Sequence, residues 1–252
     1  MARTQDHGSV RGSEWVDEAV VLIPVSIYRH GATKAEWLAA HDILVDAFTA
    51  IGSTGETCEL YFEHGGSEFV LFGTPRTPRV NGENLSVGKS AEQVAFVAHD
   101  PRRYSAEMTT VTTGLTEFLS GLNTPFEAPF SIYTVLSSGL LQLTNVGRTG
   151  SWLQVRIDGP ISGPQLVLQR PDGSVQSVTV NIDLAAGQFL TLDSVKRTAL
   201  LGGSSTADYR GSSQWGWDKF PLLPGVTSLR FLGSDDTKTA RVTVSYRSAW
   251  MG

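Results

Sequence analysis

A single cysteine, Cys58, stands in this chain of 252 residues, so no intrachain disulfide can form and the fold must be held by packing. Long apolar runs are missing as well. The most apolar stretch, Ala19 to Tyr28, is far shorter than a membrane span and contains Pro24, which predicts no membrane insertion. Met1 to Gly8 lacks an apolar core segment, so no cleavable export signal is expected and synthesis and assembly are placed in a cytoplasm. Dense positive charge is equally scarce. Nine Lys/Arg face 17 Asp/Glu up to Phe130, and 11 face eight beyond it, for a formal net charge of −5. An acidic first half repels a phosphate backbone, which argues against a nucleic-acid binder.

Catalytic signatures are absent in the same way. The histidines, His7, His30, His41, His64 and His99, form no metal-spaced pair and no HExxH occurs, so neither metal nor cofactor is expected. GxSxG, the phosphate-cradling GxxxxGK[ST] and GxGxxG are all missing. Ser86 and Lys89 have the spacing of a Ser/Lys nucleophile pair but lie in a glycine-containing loop without companion motifs. Asp235-Asp236 reads as a solvated turn rather than an acid/base pair. Asn84 to Ser86 is a glycosylation sequon without a secretory route to use it. The expectation is a protein that is not an enzyme.

What the chain has in quantity is turn and strand. Its 26 glycines follow no period and point to β structure. Ala19 to Tyr28 reads as a strand placed at an edge or bulge by Pro24. Thr33 and Glu36 form a capping box that opens one helix, with Trp37, Ala40, Leu44, Ala47, Phe48 and Ile51 as its apolar stripe and Gly52 as its stop. Thr57 to Glu63 and Ser67 to Phe72 flank His64-Gly65-Gly66 as a hairpin. Thr77 to Val80 and Glu107 to Thr113 add strands, giving an α+β first half, an antiparallel sheet with one helix. The stretch 119–130, with Gly121, Pro125, Phe126, Pro129 and Phe130, reads as a packed linker. It divides the chain into domains at 1–130 and 131–252. Eight short strands between Gly139 and Tyr246 predict a β-sandwich or jelly roll for the second.

Two places carry a candidate function. Val94, Phe96 and Ala98 alternate with Ala95 and Val97 in a strand apolar on both faces, which stops at Pro101. That strand delivers Asp100, Arg102, Arg103 and Tyr104 to one corner, suited to anchoring or to an interface. His99 beside it reads as an ordinary strand-end histidine. The second place is the aromatic group Tyr209, Trp215, Trp217 and Phe220, which suits a protein partner or a glycan if exposed, and the end of the sandwich core if not.

Val70 to Arg76 (Val-Leu-Phe-Gly-Thr-Pro-Arg), followed by Val94 to Tyr104 with its Asp-Pro-Arg-Arg-Tyr ending, resembles the N-terminal domain of siphophage distal tail proteins. The Phe/Pro-rich crossover Gly121 to Phe130 is similar to theirs. Leu141 to Gly147, Val155 to Pro160, Leu222 to Phe231 and Ala240 to Arg247 resemble their C-terminal sandwich. Thr227, where Asn is frequent, and the aromatic loop Gly202 to Lys219 depart from the pattern. The resemblance implies a tail-tube-like first domain and a galectin- or carbohydrate-module-like second one. It implies a structural protein of the virion tail tip, a hexameric ring that joins tail tube to hub or baseplate around a pore for DNA. Implied partners are copies of itself, the tail tube protein and a tail-tip hub or tail-associated protein, with tape-measure and receptor-binding proteins as further candidates. Gly73, Pro75 and Arg76 join Asp100, Pro101, Arg102, Arg103 and Tyr104 as the implied ring interface or anchoring corner. The alternative is a carbohydrate-binding accessory protein that recognises a cell-surface glycan through its sandwich.

Overall fold

The computed structural model describes residues 18–28, 33–53, 57–76, 89–115, 139–196, 198–206 and 220–251. The expected strand 77–80 and linker 119–130 lie outside them. Seventeen strands and one helix are present among the described residues, so the fold is mainly β. They fall into two units, Met1–Arg103 with Met251–Gly252, and Tyr104–Trp250.

In the first unit, β1 (Ala19–Tyr28) pairs antiparallel with β4 (Lys89–Ala98) over its whole length, Ala19 opposite Ala98 and Tyr28 opposite Lys89. β1 is the terminal strand of its sheet, as Pro24 requires, since a proline cannot donate into a second ladder. β2 (Cys58–His64) and β3 (Ser67–Pro75) form the hairpin, with Gly65 and Gly66 at φ of 62° and 77°. Two consecutive positive φ values define a type I′ turn, which is why two glycines sit there. β3 changes partner at Gly73, which lies opposite Cys58 in β2 and opposite Ala98 in β4. Leu71, Phe96 and Ala98 form a small core with Ala19, Val21, Ile23, Cys58, Leu60 and Phe62 against it. β5 (Arg102–Ser105) extends the sheet, and the division between units falls inside it.

The helix α1 (Lys34–Ser53) begins as its sequence dictates. The Thr33 amide donates to Glu36 Oε2 at 2.9 Å and the Glu36 amide donates to Thr33 Oγ1 at 3.3 Å, a closed capping box. Its apolar stripe is shallower than expected. Ala40, Leu44 and Phe48 are half-buried, Ala47 is exposed and Ile43 is 71% exposed, so this helix lies against the sheet with little of its surface covered.

The second unit is a two-sheet sandwich. One sheet runs β10 (Val175–Thr179), β9 (Ile161–Gln169), β15 (Gly225–Ser234), β7 (Leu140–Asn145), with β11 (Asp183–Leu184) also on β9. The other runs β14 (Ser205–Thr206), β13 (Thr198–Leu201), β12 (Phe189–Asp193), β8 (Leu153–Asp158), β16 (Arg241–Tyr246), β6 (Thr109–Gly114). Strict alternation along β8, buried at Leu153, Val155 and Ile157 and exposed at Gln154 and Arg156, turns every second side chain into one core. Fully buried Leu143, Leu166, Leu168, Leu190, Leu229 and Phe231 share it, each contributing about 1.5–3 kcal/mol.

One strand belongs elsewhere than its sequence position suggests. The strand expected at Glu107 to Thr113 in the first half is β6, Thr109–Gly114, and it pairs with Arg241–Tyr246 from Thr109 opposite Tyr246 to Gly114 opposite Arg241. Its alternation admits either sheet, and the inward Val111 packs on the sandwich core. The crossing between units therefore lies between Arg103 and Tyr104, while the expected boundary near 130 falls in undescribed sequence.

Candidate interface corner

The strand β4 carries its apolar alternation to Ala98 and then stops, as Pro101 removes the next ladder donor. Asp100 occupies the turn. One carboxylate oxygen accepts from the Arg102 amide at 3.1 Å and from Arg102 Nε at 2.8 Å, and the other accepts from Arg102 Nη2 at 2.6 Å. The fork of the guanidinium thus meets the fork of the carboxylate two residues away, closing the turn with a bidentate charge-assisted pair. Both side chains are largely covered, Arg102 at 17% and Asp100 at 25% exposure. Solvent screening is therefore weaker than for a surface pair.

Arg103 is used differently. Its guanidinium carbon lies 4.8 Å from the centroid of Phe69, which in turn stacks on Phe62 at 5.7 Å. A cation over an aromatic face gains from the ring quadrupole while the stem covers apolar surface. Its Nε is buried without a hydrogen bond among the described residues. Tyr104 is buried. On the neighbouring strand Pro75 is buried, and the Arg76 amide donates to Ala95 O at 2.7 Å while its side chain faces solvent. Gly73 is there for space: a Cβ at this position would sit 2.1 Å from the Val97 carbonyl oxygen. His99 Nε2 lies 2.9 Å from Thr74 Oγ1, a strand-end bond.

The sequence-derived corner is therefore partly assembled. Asp100 and Arg102 meet, Arg103 engages Phe69 instead, and Arg76 alone of these cations is exposed. Tyr209, Trp215 and Trp217 lie outside the described residues. Phe220 is fully buried within the sandwich core, so its ring packs inward and is not part of a partner surface. No group of three or more His, Cys, Asp or Glu able to hold a metal occurs among the described residues.

Sequence reasoning passed over Asn145, which is 1% exposed. Its Nδ2 donates to the carbonyls of Thr149 and Leu222, both at 2.9 Å, and its Oδ1 accepts from the amides of Gly147 at 2.9 Å and Ala249 at 3.3 Å. An amide side chain at the end of an apolar strand, two residues before a glycine, was the available signal.

The first unit is a sheet with one helix and the second a two-sheet sandwich, and the polar side chains Asp100, Arg102 and Asn145 are engaged in hydrogen bonds within their own units. Residues 146–250 match the family model described as siphovirus-type tail component, C-terminal domain. Over 98% of this chain and 85% of the other, the fold is similar to the Dit protein of phage SPP1, titled a paradigm of the hub adsorption apparatus of phages infecting Gram-positive bacteria. The TM-score is 0.59 at 11% identity. A chain of the phage P2 baseplate in its calcium-activated conformation gives a TM-score of 0.47 at 10% identity, over 96% of this chain and 84% of that one. No curated protein matches. Residues 146–250 therefore match a siphovirus-type tail component domain, and the fold along nearly the whole chain is similar to that of Dit.

Proposed function

We propose that this protein is the distal tail adaptor of a siphovirus, present at the virion tail tip and assembled in the host cytoplasm. Six copies close a ring that joins the tail tube to the tip hub or baseplate and leaves a pore for DNA. The observation that carries this reading is the Dit-like fold spanning 98% of the chain, both units included. The ring is assigned to the first unit, residues 1–103. An acidic first half, nine Lys/Arg against 17 Asp/Glu, suits a passage through which DNA slides without sticking. Head-to-tail closure uses one heterologous interface repeated around the ring. Arg76, exposed at the corner, is the cation we assign to contact with a neighbouring copy, and the Arg102–Asp100 pair supports an intrasubunit role for Arg102. The tail tube protein and a hub protein stack on the two faces of the ring.

Light scattering on a sizing column and negative-stain micrographs of purified protein and of tail tips test this. Six-fold rings with a central hole are expected. A monomer or dimer both alone and in the virion removes the reading. Retention of a monomer on host cell-wall glycan favours the accessory-protein alternative.

A further inference from the structure

In the sandwich, β10 is the terminal strand of its sheet, and among the described residues no strand pairs with its outer side. The ladder with β9 fixes which groups that side presents. The Arg170 amide donates to Ser174 O at 2.9 Å and the Val180 amide to Pro164 O at 2.9 Å, one bond at each end of the pairing. Bonded and non-bonded pairs alternate along an antiparallel ladder. Gln176 and Val178 therefore bond to β9, while the N–H and C=O of Val175, Ser177 and Thr179 point away from it. Among the described residues no backbone bond is made to the outward groups of Val175 and Ser177.

Sheet edges are ordinarily blunted by proline, charge, a bulge or a covering side chain. The opposite edge of this same sheet is treated in that way. The outward Thr144 amide of β7 donates to the Tyr246 hydroxyl at 3.0 Å, and just past the strand the Val146 amide donates to Ser248 Oγ at 3.1 Å. In contrast, β10 (Val-Gln-Ser-Val-Thr) has neither proline nor charge, and its Val175 is 61% exposed. Half-buried Val167 beside it and Leu232 beyond offer apolar places to alternate side chains of an added strand. On the inner side, Gln176 Oε1 is buried with no hydrogen bond among the described residues, which leaves an acceptor for a donor on an arriving strand.

Charge decides which strand fits. Asp172 and Asp183, both exposed, stand just beyond the two ends of β10. If two copies paired through β10 about Ser177, Asp172 of each would come next to Asp183 of the other, and like charges across a ladder are unfavourable. A second copy is thus disfavoured, and a strand with cations at its ends is favoured. Arg170 offsets Asp172 in part, so Asp183 is the stronger attraction. We propose that β10 is a strand-addition site, which takes an extended segment of another protein. That segment matches the five residues of β10, is uncharged and rich in Thr and Val, and is flanked by Lys or Arg. Main-chain bonds to Val175 and Ser177 hold it. The site lies wholly within the second unit and stands whether or not the protein closes a ring.

The test uses the full-length protein and the peptide acetyl-Lys-Thr-Val-Thr-Val-Thr-Lys-amide. With the peptide at millimolar concentration, amide exchange at Val175 and Ser177 is expected to slow while the amides of β8 and β16 keep their rates. Ser177→Pro removes only an N–H that points away from β9, and is expected to weaken binding, measured by calorimetry, about tenfold or more. Ser177→Ala keeps that N–H and is expected to keep the affinity. A peptide N-methylated at two successive central residues can bond through neither of its edges and is expected not to bind the unmodified protein, which decides the outcome if the proline variant does not fold. No slowing by the first peptide overturns the proposal, as does equal binding of the N-methylated one or unchanged affinity in Ser177→Pro. Slowing at Val175 and Ser177 that grows with protein concentration alone also overturns it, because the occupant is then a second copy.

Discussion

Asp100 and Arg102 show how a polar pair is used where a buried strand ends. Two residues apart, they make a bidentate fork instead of a loose surface bridge, and at 17% and 25% exposure their bonds are only partly screened. Arg102→Ala leaves a covered carboxylate with its main partner gone, and is expected to lower stability by about 1.5–3 kcal/mol. Arg76→Ala removes an exposed head and is expected to leave folding stability within about 0.5 kcal/mol of the parent while weakening self-association. Thermal melting beside sizing-column light scattering separates the two. If Arg76→Ala assembles normally, the interface lies elsewhere on the first unit. A second carboxylate gives a pH signature. For Asp235, burial alone would raise the pKa, but the Thr237 hydroxyl and the amides of Ala240, Thr237 and Thr239 outweigh it and hold the group at about 2, down from 3.8. The folded value is the depressed one, so the stabilisation is fully present above 3.8 and is lost as pH falls through about 2. Asp235→Asn should therefore be less stable than the parent at pH 6, with the gap closing towards pH 2 in denaturant titrations.

At the scale of the element, β3 is the strand whose sequence decides most. Its first seven residues pair with β2 and its last three with β4, and Gly73 belongs to both ladders. The backbone of Val97 comes too near for any side chain there. Gly73→Ala must push two strands apart, since the obstacle is a carbonyl and not a flexible side chain, and is expected to cost about 3 kcal/mol. Gly65→Ala in the hairpin tip meets no atom within 4 Å and should cost less, through φ alone. Chemical denaturation of the two variants orders them. The reverse order would mean that the β3–β4 junction yields to a methyl group. Helix α1 is the opposite kind of element, strongly capped and weakly buried. Its local signals specify where it starts, while Leu38 and Ile43 on it stay exposed.

At the scale of the molecule, the position of β6 changes where the chain can be cut. A fragment starting at Tyr104 keeps the strand that completes the β16 edge, whereas one starting near 131 exposes that edge along six residues. The longer fragment, residues 104–250, is expected to melt cooperatively. The fragment 131–250 is expected to melt at lower temperature or aggregate, because it loses a full ladder and the inward Val111. Calorimetry on both fragments checks this, and equal melting of the two would mean that β6 is dispensable to the sandwich.

The sequence by itself determined the elements whose signals are local. The capping box, the Gly-Gly turn and the alternation of β8 are each written within a few neighbouring residues, and the fold has them where those residues place them; Pro24 asked for an edge or a bulge, and the fold chose the edge. The ordered motifs around Gly73, Asp100 and Asn145 also carried the likeness to tail proteins. Tertiary structure alone decided the long-range choices. Alternation tells a strand which face is apolar and not which sheet it joins, so β6 could be assigned only by its pairing with β16 across more than a hundred residues. An arginine near a carboxylate and a phenylalanine carries no mark of which it will engage, and Arg102 and Arg103, adjacent in sequence, took different partners because successive residues of a strand face opposite sides. Asn145 reads as a turn residue in one dimension. Its role as a knot exists because folding brings Thr149, Leu222 and Ala249 to one buried amide, where each of its hydrogen-bonding groups must find a partner.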